Sequence, residues 1–272
     1  MIIDFHVHAF ADDLAPRAVE KLEKAIADSG LDLPPKAFTD GTIGGALKMA
    51  EKNGVDRIVL LPVATKPTQQ VHINEWSREC AHRDKRIIPF AAVHPDDPDI
   101  VQSLESFAEQ GFKGIKLHPD YQGFTADEER MIPIYRKCAE LNLITVFHMG
   151  LDAVSPHKIH ATPEMLARVF DKVDGFTAVL AHMGGISCHE SALRLLAGSP
   201  AYFDTAFMAL ILSPSELGDM IRAFGADRVL FASDCPWNDS ADDMALIEKA
   251  GLSEEDTALI YGGNGCRLLG IQ

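Results

Sequence analysis

The chain has 272 residues, 47% of them hydrophobic and 24% charged, the balance of a soluble globular protein long enough for one large domain or two small ones. A net charge of −15 with no Lys/Arg cluster excludes nucleic acid and anionic membrane as partners; no apolar run approaches the roughly 20 residues of a membrane span, and no signal peptide is read at the N-terminus. The five cysteines (Cys80, Cys138, Cys188, Cys235, Cys266) form an odd set without CxxC spacing and read as the reduced thiols of a cytoplasmic protein.

Short apolar, β-branched runs alternate along the chain with helical patterns. The runs are residues 1–8, 57–63, 87–94, 112–118, 143–148, 176–182, 201–206 and 228–233. Most are almost continuously apolar, as strands buried on both faces must be. After the first run there is room for two helices, 16–29 and 39–53, joined by "GLDLPPKAF". An excursion of that length after a strand predicts a lid. Further on, Asp97-Pro98 predicts a helix start and Gly111 its stop. Thr125 with Glu128 reads as a capping box, Thr162-Pro163 and Ser253 as starts, and Ser213-Pro214 with Glu216 as another capped start. Strands that alternate with helices and lack hairpin signals pair in parallel. The expected fold is one α/β domain over residues 1–272, a (β/α)8 barrel with a helical insertion after strand one. A doubly wound sheet would place a Gly-rich turn after its first strand, where this chain has "HVHAFADD".

The strand ends carry the chemistry. Residues two apart on a strand share a face, so His6 and His8 of "DFHVH" point the same way, into the barrel. His94, His118, His148, His182 and Asp234 end five further strands, and in a barrel those ends converge on one mouth. Imidazoles plus a carboxylate suit zinc and similar divalent ions, with one position open. His6, His8, His148 and Asp234 are the expected ligands of a single ion, zinc before manganese. One strand-end histidine is ordinarily a hydrogen-bonded structural residue; the joint pattern is what points to a metal.

The chain resembles the amidohydrolase-related family, in the branch that includes aminocarboxymuconate semialdehyde decarboxylase. The resemblance rests on "DFHVH", "GFKGIKLHP", "VFHMG", "AHMGG", "FDT", "FASDCPW" and "GGNGCRLLGI", which span essentially the whole chain. It implies a metal-dependent barrel enzyme in which His6, His8 and His148 bind the metal. It further implies that His182 contacts substrate or metal-bound water, and that Asp234 touches the metal and moves a proton.

Lys116 precedes His118 by two residues, one layer deeper, and an inward lysine in an apolar strand needs a partner. Three readings stand: a carboxylated bridge between two metals, a partner for a substrate anion, and an ion pair with Asp204 or Asp234. The mononuclear character of the branch it resembles favours a charge partner. His94, His118, Asp204 and Trp237 are weaker candidates for holding substrate or supporting the site. Asp4 shares the parity of His6 and reads as a tautomer-fixing partner or, preferably, as a structural acid. His157 and His160 lie in the long loop after strand five; His72, His82 and His189 fall on helical segments and receive no role. Without GxSxG, or a cysteine beside a base, a nucleophilic triad is discounted.

The leading expectation is a metal-dependent hydrolase of a small ester, lactone or amide. The alternative is a lyase, a decarboxylase or hydratase of a small unsaturated carboxylate. A metal- or ligand-binding protein without turnover is disfavoured by the poised aspartate. The expected partner is a small molecule, with a carboxylate and a homodimer both compatible with the sequence.

Overall fold

The computed structural model describes residues 1–34 and 36–271. The eight expected strands are all present: β1 (Ile3–Val7), β2 (Arg57–Leu60), β3 (Ile87–Pro89, resuming at Ala91–Ala92), β4 (Gly114–Leu117), β5 (Ile144–Phe147), β6 (Ala178–Leu180), β7 (Tyr202–Asp204) and β8 (Val229–Leu230). Each pairs in parallel with the next along the chain. β3 breaks at Phe90; its first half pairs with β2 and its second with β4. The first and last strands meet as well. Phe5 N–H donates to Phe231 O at 2.9 Å, and Asp234 N–H to His6 O at 2.9 Å. The result is a closed α/β barrel.

Alternation sends strand residues to two apolar layers. Val59, Phe90, Val146, Val179 and Leu230 form the inner one. Ile58, Leu60, Ile115, Phe147 and Phe231 form the outer one, against helix residues such as Leu104, Phe107, Leu166 and Leu217. Both layers are fully buried, which explains the nearly continuous apolar runs.

β1 breaks the alternation. Its pairs with β2 are Ile3↔Arg57, Asp4↔Ile58 and Val7↔Leu60, so three steps on β1 span two on β2. This extra residue is a β-bulge, a device that re-aims side chains. Ile3 and Phe5 join the inner layer while Val7 joins the outer. Past the bulge the even residues His6 and His8 turn inward. Asp4, expected on the same face as His6, therefore lies on the other side. Its carboxylate accepts from Ser233 N–H at 3.0 Å, Ser233 Oγ at 2.5 Å and His6 N–H at 3.2 Å, and so ties β1 to β8.

The excursion after β1 contains the helices Ala15–Asp28 and Ile43–Lys52, the second capped by the Thr42 hydroxyl. Phe38 N–H donates to Pro236 O at 2.7 Å, which fastens the excursion to the loop after β8. Thr162 and Ser213 cap the helices Pro163–Phe170 and Pro214–Phe224. Two starts shift. Asp97 does not cap; Gln70, Ser103 and the Asp99 N–H take its carboxylate, and the helix is Ile100–Glu109. Glu128 does reach back to Thr125 N–H at 2.7 Å, yet a 3₁₀ turn intervenes before the helix Ile132–Glu140. Among the described residues, no helix is long and apolar enough to cross a membrane.

Candidate metal centre

The β1 bulge and the β8 end bring His6, His8 and Asp234 together at the mouth. His6 Nε2 and His8 Nε2 are 3.1 Å apart, and each lies 3.4 Å from Asp234 Oδ1. The other ring nitrogens define the tautomers. His8 Nδ1 is 2.7 Å from Leu61 O, a carbonyl that can only accept, so Nδ1 carries the proton. His6 Nδ1 lies 2.9 Å from Asp204 Oδ2, and His6 Nε2 lies 3.0 Å from the Lys116 ammonium, a group that only donates. His6 is thus also protonated on Nδ1. The two imidazole lone pairs and the Asp234 oxygen bring no hydrogen to one another; among the described residues the donor into the group is the Lys116 ammonium.

Such a cluster calls for a cation. Metal–nitrogen bonds of about 2.0–2.1 Å in tetrahedral geometry put ligand atoms roughly 3.4 Å apart. The observed 3.1 and 3.4 Å fit that spacing. Burial holds His6 well below the ordinary histidine pKa and the neighbouring Lys116 charge pushes it further down, so the ring stays neutral, as a ligand must be.

His182 and His148 stand beside this cluster. His182 follows β6 with left-handed backbone (φ 60°, ψ 44°), which a non-glycine residue adopts only when held. Asp204 does the holding: its Oδ1 accepts His182 N–H at 2.9 Å and Ala206 N–H at 3.2 Å. His182 Nδ1–H donates to Ala206 O at 2.9 Å, so its Nε2 accepts from His148 Nδ1–H at 3.1 Å. His148, expected among the ligands of the first cluster, belongs by distance to a second one with His118 and Asp152. It meets the first through His182. Among the described residues His148 Nε2 is buried without a hydrogen-bond partner, 3.7 Å from Asp152 Oδ2. The His118 ring stacks on His148 at 4.2 Å and on Tyr121 at 3.7 Å, with its Nε2 3.6 Å from Asp152.

Lys116 is fully buried, and burial brings its pKa down to about 8 against the pull of Asp204, Asp234 and Asp152. Its hydrogen-bond partner is the His6 ring; the ion pair with Asp204 or Asp234, one of its three readings, is not formed among the described residues. His94 stands apart. Its Nδ1 accepts Asp96 N–H at 3.1 Å, so it organises its own loop. Trp237 N–H donates to Asp234 O at 2.8 Å and closes the turn after β8; its side chain is half-buried. His160 Nδ1 pairs with Asp120 at 2.8 Å, while His157 is exposed. Sequence reasoning passed over Asp152, which lies on a loop where no periodicity marks it. The available signal was a carboxylate four residues beyond a strand-end histidine, in "HMGLD".

A closed parallel barrel with this electron-rich cluster at its mouth is the architecture of a barrel enzyme whose strand ends suit a divalent cation. The chain belongs to the amidohydrolase family, whose model matches residues 3–271. It is 22% identical to gamma-resorcylate decarboxylase of Polaromonas sp. strain JS666, over 82% of this chain and 85% of that protein. Two solved structures share the fold. One is 5-carboxyvanillate decarboxylase of Novosphingobium aromaticivorans, complexed with manganese and 4-hydroxy-3-methoxy-5-nitrobenzoic acid (TM-score 0.76, 16% identity, 100% of this chain and 96% of that one). The other is 2,6-dihydroxybenzoate decarboxylase from Rhizobium (TM-score 0.71, 17% identity, 99% and 98%).

These relatives overturn the expectation of hydrolysis. They are named as decarboxylases, which is the lyase alternative. The ion in the 5-carboxyvanillate decarboxylase structure is manganese, where zinc was expected from the histidine-rich set. A resident metal is supported; its identity as zinc is not.

Proposed function

We propose that this protein is a metal-dependent decarboxylase of a small hydroxylated aromatic carboxylate. The observation that carries the reading is the fully buried Lys116 ammonium beside the His6/His8/Asp234 cluster: a fixed positive charge deep in the mouth suits an anionic substrate. The relatives named for gamma-resorcylate, 2,6-dihydroxybenzoate and 5-carboxyvanillate supply the substrate class.

His6, His8 and Asp234 would hold a divalent ion, with His148 and His182 adjoining it. Manganese is the expected ion, by analogy with the relative that contains it. When bound, the metal supplies Lewis-acid stabilisation of negative charge on the substrate oxygens. The residues do the rest. Lys116 pairs with the anionic substrate and orients it. The reaction breaks the bond between ring carbon and carboxylate, releases CO2 and leaves an electron pair that takes up one proton. Asp234, facing the imidazoles, is placed to accept a proton from an acidic substrate group and return it to that carbon. His182, its Nδ1–H fixed on Ala206 O, holds the His148 ring through Nε2 and so positions that ring beside the reacting group. The inner apolar layer beneath keeps water from the centre.

The test is to load the purified protein with Mn²⁺, supply 2,6-dihydroxybenzoate (gamma-resorcylate) and 5-carboxyvanillate, and follow CO2 release together with loss of the aromatic carboxylate. Turnover of one of them supports the reading. No CO2 from any of them, with lactones opened by the same preparation, would refute it.

A further inference from the structure

The Asp204 carboxylate divides its two oxygens between two jobs. Oδ2 faces His6 Nδ1 at 2.9 Å. Oδ1 accepts the backbone N–H groups of His182 (2.9 Å) and Ala206 (3.2 Å). Asp204 is completely buried, on β7, with no solvent to substitute for either contact. We infer that Asp204 is a positioning residue that dictates the His6 tautomer, and that one carboxylate thereby couples the metal-ligating nitrogen of β1 to the left-handed His182 turn after β6. The inference rests on the metal-centre reading given above.

Oδ1 already has two N–H donors, so it cannot turn to the ring. Only Oδ2 is left for His6, and a carboxylate oxygen accepts; the proton is therefore on Nδ1 and the Nε2 lone pair is free. The Lys116 ammonium, 3.0 Å from Nε2, agrees independently, because it too requires an acceptor at that atom. The two halves of the contact are inseparable: moving Oδ1 to release the His182 turn also moves Oδ2 off the ring.

That division makes one isosteric change diagnostic. In Asp204→Asn the amide oxygen still accepts the two N–H groups, so the turn and the fold survive. The amide nitrogen must then face His6 Nδ1, and it can only donate. A neutral His6 that accepts from the amide carries its proton on Nε2, the atom that points at His8 and Asp234, and the Lys116 ammonium then loses its acceptor there. The variant should fold yet bind the metal poorly. Loss of an outer partner of a metal-ligating histidine ordinarily weakens metal affinity by about 10- to 100-fold.

The experiment titrates metal-free wild type and Asp204→Asn with Mn²⁺, counting free ion by electron paramagnetic resonance, with circular dichroism on the same samples. A long-range ¹⁵N correlation spectrum of metal-free wild type, histidine-labelled, reads the His6 tautomer directly. Expected are an unchanged fold, an Mn²⁺ Kd about 10- to 100-fold weaker in the variant, and an Nδ1–H tautomer at His6 in wild type. A folded variant with wild-type Mn²⁺ affinity overturns the inference and leaves the metal-centre reading intact. Wild type that binds no Mn²⁺ overturns both. If the variant does not fold, the wild-type spectrum decides: an Nε2–H tautomer at His6 overturns the inference, and Nδ1–H sustains it.

Discussion

Lys116 and His6 meet inside the barrel, ammonium to imidazole, at 3.0 Å. The lysine thus donates to the same lone pair that a metal would use. A bound ion must displace that hydrogen bond and leave the ammonium at the edge of the centre, with donors to offer a substrate anion. Lys116→Gln should keep its Mn²⁺ and lose about 10- to 100-fold in kcat/KM on an aromatic carboxylate, the range for one hydrogen bond to a charged group. Metal analysis and steady-state kinetics on one preparation check this. A variant that decarboxylates at the wild-type rate removes Lys116 from substrate binding.

Metal binding should register in stability. His6, His8 and Asp234 come from strands at the two ends of the chain, so an ion held by them ties β1 to β8. A ligand that binds only the folded state adds about 2.7 kcal/mol at 100 times its Kd. Thermal denaturation with and without Mn²⁺ should show a higher Tm with the ion. His6→Ala and His8→Ala should abolish that increment. An equal increment in either variant would mean that the stabilising ion sits elsewhere.

Much of this arrangement was legible in the sequence, for identifiable reasons. The strands declared themselves because a barrel buries both strand faces, and the strand-end histidines because parallel strands all point their ends at one mouth. Thr162 and Ser213 announced their helices because their hydroxyls cap locally. The β1 bulge was not legible. It is a mismatch of register between β1 and β2, and nothing within "IDFHV" records it. For that reason Asp4 faces away from the His6 ring, which meets Asp204 instead, while its preferred reading as a structural acid agrees with its hold on Ser233. Asp152 was missed because a loop carboxylate acquires meaning only when the fold sets it against two rings. Hydrolysis was misjudged because one residue set serves several reactions.

The thiols give a test of burial. Cys80, Cys138, Cys188 and Cys235 are buried, while Cys266 is partly exposed. Burial pushes the Cys138 thiol up to about 12 and the Cys188 thiol up to about 11, so neither offers thiolate at pH 8. Ellman's reagent should titrate about one thiol in the native protein and five after denaturation. Rapid reaction of two or more native thiols would contradict the packing described.

Asp243 predicts a pH effect from a carboxyl outside the metal cluster. It is fully buried, on the helix Ser240–Glu248, and accepts from Ala209 N–H at 2.9 Å and Asn238 Nδ2 at 2.7 Å. Burial raises its pKa well above the usual carboxylate value, against the lowering by those hydrogen bonds. A carboxyl whose folded pKa is raised favours folding below its unfolded pKa. That contribution is lost as pH rises toward the folded pKa. Asp243→Asn, which cannot ionise, should therefore gain on wild type as pH rises above about 4, by at most about 1.36 kcal/mol per pH unit. Urea denaturation of both proteins across pH 4–7 measures the difference. Parallel curves would show that Asp243 ionises as freely in the folded chain as in the unfolded one.

The final prediction separates holding the metal from moving the proton. Asp234 faces both His6 and His8 at 3.4 Å, whereas His182 stands one ring further out, 3.1 Å from His148. Imidazole ligands can retain an ion after one carboxylate becomes an amide, since the amide oxygen still coordinates weakly. Asp234→Asn should keep a substantial share of its Mn²⁺ but lose the proton carrier, at a cost of about 10²- to 10⁴-fold in turnover. His182→Asn should keep nearly all of its metal and also lose turnover, because its Nε2 holds the His148 ring beside the reacting group. Its pH–rate profile should keep the limbs of wild type, while that of Asp234→Asn should lose one; such a limb belongs to the coupled metal–Asp234 unit and not to one group. Metal content, turnover and pH profile are to be read on the same preparations. If His182→Asn loses its metal while Asp234→Asn turns over normally, the two residues have been given each other's roles. The ion would then be centred on His148 and His182, and the His6/His8 pair would be the part of the mouth that meets the substrate.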